Sequence, residues 1–195
     1  MKKKQRIVQL ALVSIGLLLF GLTYLYYPAI YENKLLKKQS IIKDFKKTSY
    51  NEQSTSFENL EYKGFNLDTP FKVKSEKAYI LNEEPDIVYM SNMHVVLYLS
   101  DNRIVEITSL TGRYNKANYN CFFEQDVLAT DGEIKITASN LDLLATENFV
   151  KIYNDVNLDY TTGSLQADKI DYDFETKHFK VSMFGDKAIK MKVIQ

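Results

Sequence analysis

Apolar and polar side chains alternate over most of the chain after residue 59, and within this pattern an eight-residue motif recurs four times. The copies occupy residues 73–80, 107–114, 136–143 and 165–172. Each copy begins with an apolar residue, has a small residue at its third position and ends on an apolar or aromatic residue. The small residues are Ser75, Ser109, Ala138 and Ala167. Recurrence at intervals of 29 to 34 residues predicts one supersecondary unit stacked on itself.

The third copy indicates what this unit is. Its apolar positions begin in phase at Ile136 and Ala138 and then change parity to Leu141 and Leu143. A β-bulge inside the motif, where the strand turns a corner, would produce this change. After each of the later motifs comes a polar turn and a second alternating run, and the segments Gln125-Asp-Val and Asn154-Asp-Val lie 29 residues apart. The pattern therefore predicts an all-β sheet of bent hairpins with one buried face.

A different pattern precedes the motifs. No residue from 7 to 27 is charged, and a helix of these 21 residues would span roughly the 30 Å of a bilayer's hydrocarbon core. A cleaved signal peptide is the alternative, but its apolar region would be shorter, at about 7 to 15 residues. We predict an uncleaved transmembrane helix whose apolar and interfacial residues include Ile7, Leu10, Leu17, Leu18, Phe20, Tyr24 and Tyr27.

The remaining boundaries follow from this anchor. We predict a cytoplasmic tail at 1–6, the transmembrane helix at 7–27, a periplasmic stalk and linker at 28–58 and a β-domain at 59–195. Lysines on both sides of the helix give opposing signals about orientation. A long folded domain crosses the membrane largely regardless of its charge, so we expect the N-terminus in the cytoplasm and the β-domain in the periplasm.

Charge and candidate chemistry argue against several functions. The chain has 25 basic and 25 acidic residues, interspersed, which does not favour nucleic-acid binding. His94 and His178 have no partner at metal-ligand spacing, so we predict no metal or cofactor. Cys121 with His178 as base would be the candidate nucleophile, but Cys121 falls on the inward phase of its strand, where a cysteine acts as a small hydrophobe. We therefore predict that the protein is not an enzyme.

Several segments together resemble the LptC family, the bitopic periplasmic proteins of lipopolysaccharide export. The resemblance covers nearly the whole chain in order, and is carried by the anchor and by the segments 60–65 (LEYKGF), 108–116 (TSLTGRYNK), 122–127 (FFEQDV), 137–141 (TASNL), 150–156 (VKIYNDV) and 161–169 (TTGSLQADK). Some family members have glycine where this chain has Asn154, so no role is carried over to that position.

The resemblance implies a twisted, open β-jellyroll on the periplasmic side of the inner membrane. It also implies that the N-terminal strands dock on the LptF/LptG/LptB ABC transporter, and that the C-terminal strands dock on the bridge protein LptA. An interior that receives the acyl chains of lipopolysaccharide is implied as well.

Two groups of residues are the candidates for these roles. If the interior receives lipid as the resemblance implies, the apolar phase places the groove at Ile136, Ala138, Val150, Ile152, Leu158, Leu165, Ala167, Val181 and Met183. The last strand predicts an unpaired edge that recruits LptA by β-augmentation, at His178, Phe179, Lys180, Val181, Ser182, Met183 and Phe184. The alternative function is a membrane-anchored scaffold whose apolar residues form an ordinary packed core and which docks partners without binding lipid.

Overall fold

The computed structural model describes residues 20, 54–66, 69–99, 102–186 and 188–193. The chain forms two compact units, Met1–Lys46 and Lys47–Gln195. In the first unit only Phe20 is described, and it is helical and exposed. The rest of the predicted anchor, the tail and the stalk as far as residue 53 lie outside the described residues. Within the described ranges no helix is long and apolar enough to cross a membrane.

The second unit is an antiparallel sheet of ten strands, which confirms the all-β prediction. Strands β1 to β8 pair in chain order, while β9 and β10 both pair with β8, along residues 169–172 and 163–166 respectively. The strands are β1 Ser54–Asn66, β2 Thr69–Leu81, β3 Ile87–Tyr98, β4 Ile104–Asn115, β5 Cys121–Thr130, β6 Lys135–Leu144, β7 Phe149–Tyr160, β8 Gly163–Asp173, β9 Phe179–Ser182 and β10 Lys190–Val193. A 3-10 turn, Ala145–Glu147, joins β6 to β7.

The sheet begins earlier than the sequence pattern indicated. Strands were expected from about Leu60, but β1 starts at Ser54 and pairs with β2 along most of its length. The Ser and Thr residues at 54–56 read as linker in a single sequence. In the structure they form a strand because β2 provides a backbone partner for them, from Ser54 opposite Leu81 onward.

Each long strand bends near its middle, and the bend explains the change of phase in the motif. In β6 the buried residues are Ala138, Leu141, Leu143 and Leu144. The first three agree with the predicted change of phase, whereas Ile136, also predicted to face inward, is half-buried. The bulge itself was placed on the wrong strand: the extra residues lie on the neighbouring strands, at Gln125-Asp126 of β5 and Asn154-Asp155 of β7. All four have positive φ, between 49° and 67°. Polar Asn and Asp tolerate this left-handed conformation better than the apolar and β-branched residues of β6 would.

A row of side chains, buried except for the half-buried Leu60, marks the bend and crosses the sheet. Small residues on the even strands alternate with larger ones on the odd strands. The cross-strand pairs in this row are Leu60 with Ser75, Met93 with Ser109, Val127 with Ala138, and Val156 with Ala167. We call these eight residues the corner row. Its small members are all buried, so they allow the sheet to fold over on itself.

The corner row divides the sheet into two arms that face each other across the core. Arm A contains residues 61–66, 69–74, 94–98, 104–108, 128–130, 135–137, 157–160, 163–166 and 190–193. Arm B contains residues 54–58, 77–81, 87–91, 111–115, 121–124, 140–144, 149–153, 169–173 and 179–182. The arms meet with an offset of strands, as in a twisted sheet. Tyr62 and Phe71, from β1 and β2 of arm A, pack on Tyr114 from β4 of arm B, with ring centroids 5.5 and 6.4 Å apart.

Candidate functional site

A cavity of about 290 Å³ lies between the two arms, which is near the lower end of the range for ligand pockets. Arm A contributes residues from β3 to β7 and arm B contributes residues from β6 to β9, so the offset of the arms creates the space. The side chains along its length are Val, Leu, Ile and Ala. They face inward because each strand alternates buried and exposed positions.

The cavity includes part of the predicted groove. Ile136, Val150, Ile152 and Leu158 line it, so the parity argument placed these four on the correct face. The other five predicted residues are not among its lining residues. Ala138 and Ala167 belong to the corner row, Leu165 is buried opposite Leu158, and Val181 and Met183 pack partly buried against the core.

Several lining residues were missed by the sequence analysis. They come from arm A of β3 and β4 and from the end of β8 with the turn that follows: Leu97, Val105, Ile107, Ile170, Tyr172 and Phe174. Ile107, Ile170 and Tyr172 occupy positions in the repeated motif equivalent to Ile136, Leu141 and Leu143. The repeat was therefore the available signal, but which motif copies share one cavity depends on the twist of the sheet.

One end of the cavity is aromatic and reaches the predicted docking edge. Tyr172 and Phe174 pack edge to face with ring centroids 5.0 Å apart. Beside them, Phe179 of β9 lines the cavity and is 45% exposed. The strand predicted at 178–184 is shorter than expected, since β9 ends at Ser182 and the amide of Phe184 instead donates to Asp168 Oδ2 at 2.7 Å. Among the described residues, β9 pairs with β8 alone.

Polar groups also line the cavity, where the β3–β4 turn and the β5–β6 turn meet. Arg103 Nη1 lies 3.3 Å from Asp131 Oδ2. Asp131 Oδ1 also accepts hydrogen bonds from the amides of Ile134, at 2.8 Å, and Glu133, at 3.1 Å. Burial alone would raise the pKa of Asp131, but these amides and the Arg103 guanidinium outweigh it and lower the pKa. Asp131 is therefore held ionised by its own turn.

The candidate catalytic groups do not form a site. Cys121 is buried and its Sγ lies 3.7 Å from the carbonyl of Tyr119, while His178 is exposed in the turn before β9. Burial raises the pKa of the Cys121 thiol to about 12, which is the opposite of what a nucleophile requires. His94 lies on the outer face, with Nε2 3.4 Å from Glu106 Oε2. In the part of the chain that is described, no three His, Cys, Asp or Glu residues are grouped to hold a metal.

Comparisons with protein families and with solved structures both give matches. The family model described as "Lipopolysaccharide-assembly, LptC-related" matches residues 10–183. The fold is similar to the crystal structure of LptH from Pseudomonas aeruginosa, the LptA homologous periplasmic component of its lipopolysaccharide transport device. The TM-score is 0.50 and the identity 15%, over 67% of this chain and 98% of LptH. No curated protein sequence matches significantly. At this identity the likeness to LptH concerns the fold alone.

Proposed function

Because this chain belongs to the LptC-related family of lipopolysaccharide assembly, we propose that it receives acyl chains of lipopolysaccharide in the cavity between its arms and passes them to a periplasmic bridge protein. The observation that carries this proposal is the almost wholly apolar cavity, which reaches from the paired turns at Arg103 and Asp131 to the edge strand β9. Family membership supports a role in transport, and no step of this function requires catalysis.

The benefit of such a cavity is a lower solvation barrier. Exposing an acyl chain to water costs about 0.8 kcal/mol per CH₂, so a lipid with several chains would face a barrier of tens of kcal/mol. Transfer from a bilayer to an apolar cavity is nearly neutral by comparison. The protein would then need no energy source of its own, and its transporter partner would supply the direction.

The two ends of the sheet are suited to different partners in this proposal. At one end β1 presents an edge of 13 residues, and at the other end β9 and β10 present two short edges. Exposed edges can take up strands from other chains. We assign the β1 end to the LptF/LptG/LptB transporter and the β9 end to LptA. A photoreactive residue at the exposed Lys180 should crosslink LptA whereas one at Glu58 should not, and the reverse result would exchange the two ends.

The proposal includes the membrane anchor. Residues 7–27 would cross the inner membrane once, with the N-terminus in the cytoplasm and the β-domain in the periplasm. The uncharged run and its flanking aromatic residues support this arrangement. A reporter that is active only in the cytoplasm should be inactive when fused after Gln195. Activity of that fusion would show that the β-domain lies in the cytoplasm.

Crosslinking to lipid tests the central claim. Ile152 lines the cavity, while its neighbour Lys151 faces outward between Asp142 and Asp171. A photoreactive residue at Ile152 should form an adduct with purified lipopolysaccharide, and the same residue at Lys151 should form far less. Equal adducts at both positions would mean nonspecific contact. A folded Ile152 variant without any adduct would remove the lipid function.

The scaffold remains the second candidate, because one observation favours it. Ala138 and Ala167 were predicted to leave space for lipid, but both are buried in the corner row, where they lie opposite Val127 and Val156. If the cavity never admits lipid, the protein would only connect its partners. The same crosslinking experiment separates the two functions, since a scaffold would give no adduct at Ile152 while still binding LptA.

A further inference from the structure

The mouth of the cavity contains an ion pair that the transport of acyl chains alone does not explain. Arg103 closes the turn between β3 and β4, where its carbonyl accepts a hydrogen bond from Leu99 at 2.9 Å. Asp131 begins the turn between β5 and β6. Both side chains line the cavity, whose other walls are almost entirely apolar. A charged pair is therefore fixed next to a space that suits hydrocarbon.

The two partners differ in how exposed they are. Asp131 has a side chain only 11% exposed, and two backbone amides of its own turn bind its Oδ1. Thr130 braces the same turn, because its hydroxyl donates to the carbonyl of Ile134 at 2.8 Å and accepts from the amide of Gly132 at 3.1 Å. Arg103 is 53% exposed, so an incoming ligand can reach its guanidinium. The carboxylate is thus the fixed partner and the guanidinium the accessible one.

We propose that Arg103 binds the anionic group of an amphiphile whose acyl chain enters the cavity, and that Asp131 holds the guanidinium at the mouth until the ligand replaces it. A guanidinium presents several donors in a planar fork and matches a phosphate or carboxylate well. Leu97, Leu99 and Val105 line the cavity beside it, so a chain attached to the anion would meet apolar walls at once. This inference rests on the proposed function, and adds to it the residue that recognises the anionic group of the ligand.

A purely structural ion pair predicts a different response to mutation. If the ion pair only holds the two turns together, removing either partner should weaken binding of an anionic amphiphile. If Asp131 competes with the ligand for Arg103, the two changes should act in opposite directions. Removing the guanidinium should weaken binding of an anionic amphiphile, and removing the competing charge should strengthen it.

The chain offers a matched control. Arg113 and Glu124 form another ion pair at 3.3 Å, with side chains 44% and 42% exposed, on neighbouring strands β4 and β5. Neither residue lines the cavity. Arg113→Gln removes a guanidinium of similar exposure without touching the mouth, so its effects measure the general loss of a surface cation.

The experiment measures binding of dodecyl phosphate, of uncharged dodecyl maltoside and of inorganic phosphate to the full-length protein, below the micelle concentration of each amphiphile. We expect Arg103→Gln to weaken dodecyl phosphate binding roughly tenfold, as for a lost charge-assisted hydrogen bond, and to leave dodecyl maltoside unchanged. Asp131→Asn should strengthen dodecyl phosphate binding several-fold. Arg103→Lys should fall between Arg103→Gln and the parent, because it keeps the charge but loses the planar fork, and Arg113→Gln should match the parent.

The outcomes separate this inference from the proposed function. Equal binding of both amphiphiles, unaffected by Arg103→Gln, would overturn the role of Arg103 and leave the acyl cavity standing. Failure of both amphiphiles to bind the parent protein would argue against the cavity itself. Binding of inorganic phosphate as tightly as dodecyl phosphate would reduce the mouth to a simple anion site and overturn the inference. If Asp131→Asn does not fold, the comparison of Arg103→Gln with Arg103→Lys still shows whether the charge at position 103 binds the anionic group.

Discussion

Two substitutions of similar size should distinguish the packed corner of the sheet from its open cavity. Ala138→Leu enlarges a side chain of the corner row, and Val150→Phe enlarges one that lines the cavity. Both residues are buried, at 9% and 7% exposure, and lie in adjacent strands of the same hairpin. Burial alone would therefore predict the same penalty for both, and only the presence of space distinguishes them.

The expected magnitudes follow from the neighbours. Ala138 lies opposite Val127, which is 2% exposed, and beside the strand of Val156, which is 1% exposed. A larger side chain there has no space to occupy, so overpacking should cost about 1 to 3 kcal/mol of unfolding free energy. In a domain of this size that lowers Tm by roughly 3 to 12 °C. The ring of Phe at position 150 can extend into about 290 Å³ of apolar space, and its effect should stay within about 1 kcal/mol.

Melting and lipid capture, measured on the same preparations, test this reasoning. Ala138→Leu should be the less stable variant and should retain lipid crosslinking at Ile152 at temperatures where it is folded. Val150→Phe should melt close to the parent and lose that crosslink, because the ring fills the space for a chain. If Val150→Phe were as destabilised as Ala138→Leu, the cavity would not be open in solution. If Ala138→Leu alone lost lipid, the corner row would belong to the binding site.

Three further predictions concern single residues. Asn154 has a φ of 65°, so Asn154→Val should lower the free energy of unfolding, measured by chemical denaturation, by about 1 to 3 kcal/mol. Asn154→Gly should be nearly neutral, because relief of strain offsets the lost 2.9 Å hydrogen bond to Asn140, and equal losses in the two variants would rule out strain as the cause. Because Cys121 is buried, and burial also raises the pKa of its thiol, iodoacetamide should label the protein only in denaturant; rapid labelling of the folded protein would contradict this burial. A Cβ on Gly163 would overlap the carbonyl oxygen of Lys192, so Gly163→Ala should speed hydrogen exchange of the amides in Lys190–Val193 and leave the amides of β2 to β7 protected from exchange. Unchanged exchange would mean that β10 adjusts its position without separating from β8.

The parts of the fold that the sequence predicted are those fixed by local alternation. The parity of β7 places Val150 and Ile152 inward, and in the structure both are buried and line the cavity. The change of phase in β6 likewise predicted a bend near Ala138. These features depend only on which face of one strand is apolar, and a period of two residues records that directly.

The features that were missed depend on contacts between distant segments. Leu97 and Phe179 line the same cavity, although they lie on β3 and β9. The strand offset that brings them together arises from the twist of the whole sheet, which no single strand encodes. β10 was missed for another reason: its alternation of Lys with Met and Val covers only four residues, all of them exposed, and its position depends on the absence of a Cβ at Gly163.

The position of β9 connects the cavity to the proposed docking edge. Phe179 is at once a lining residue of the cavity and the first residue of a strand that pairs on one side with β8. A partner strand added to the other side of β9 would place its inward side chains next to Phe179, because neighbouring strands lie only about 4.8 Å apart. The apolar wall would then continue into the partner without a gap wide enough for water. An acyl chain at the aromatic end of the cavity would therefore be able to move on without crossing water, which is the condition that passive transfer to a bridge protein must satisfy.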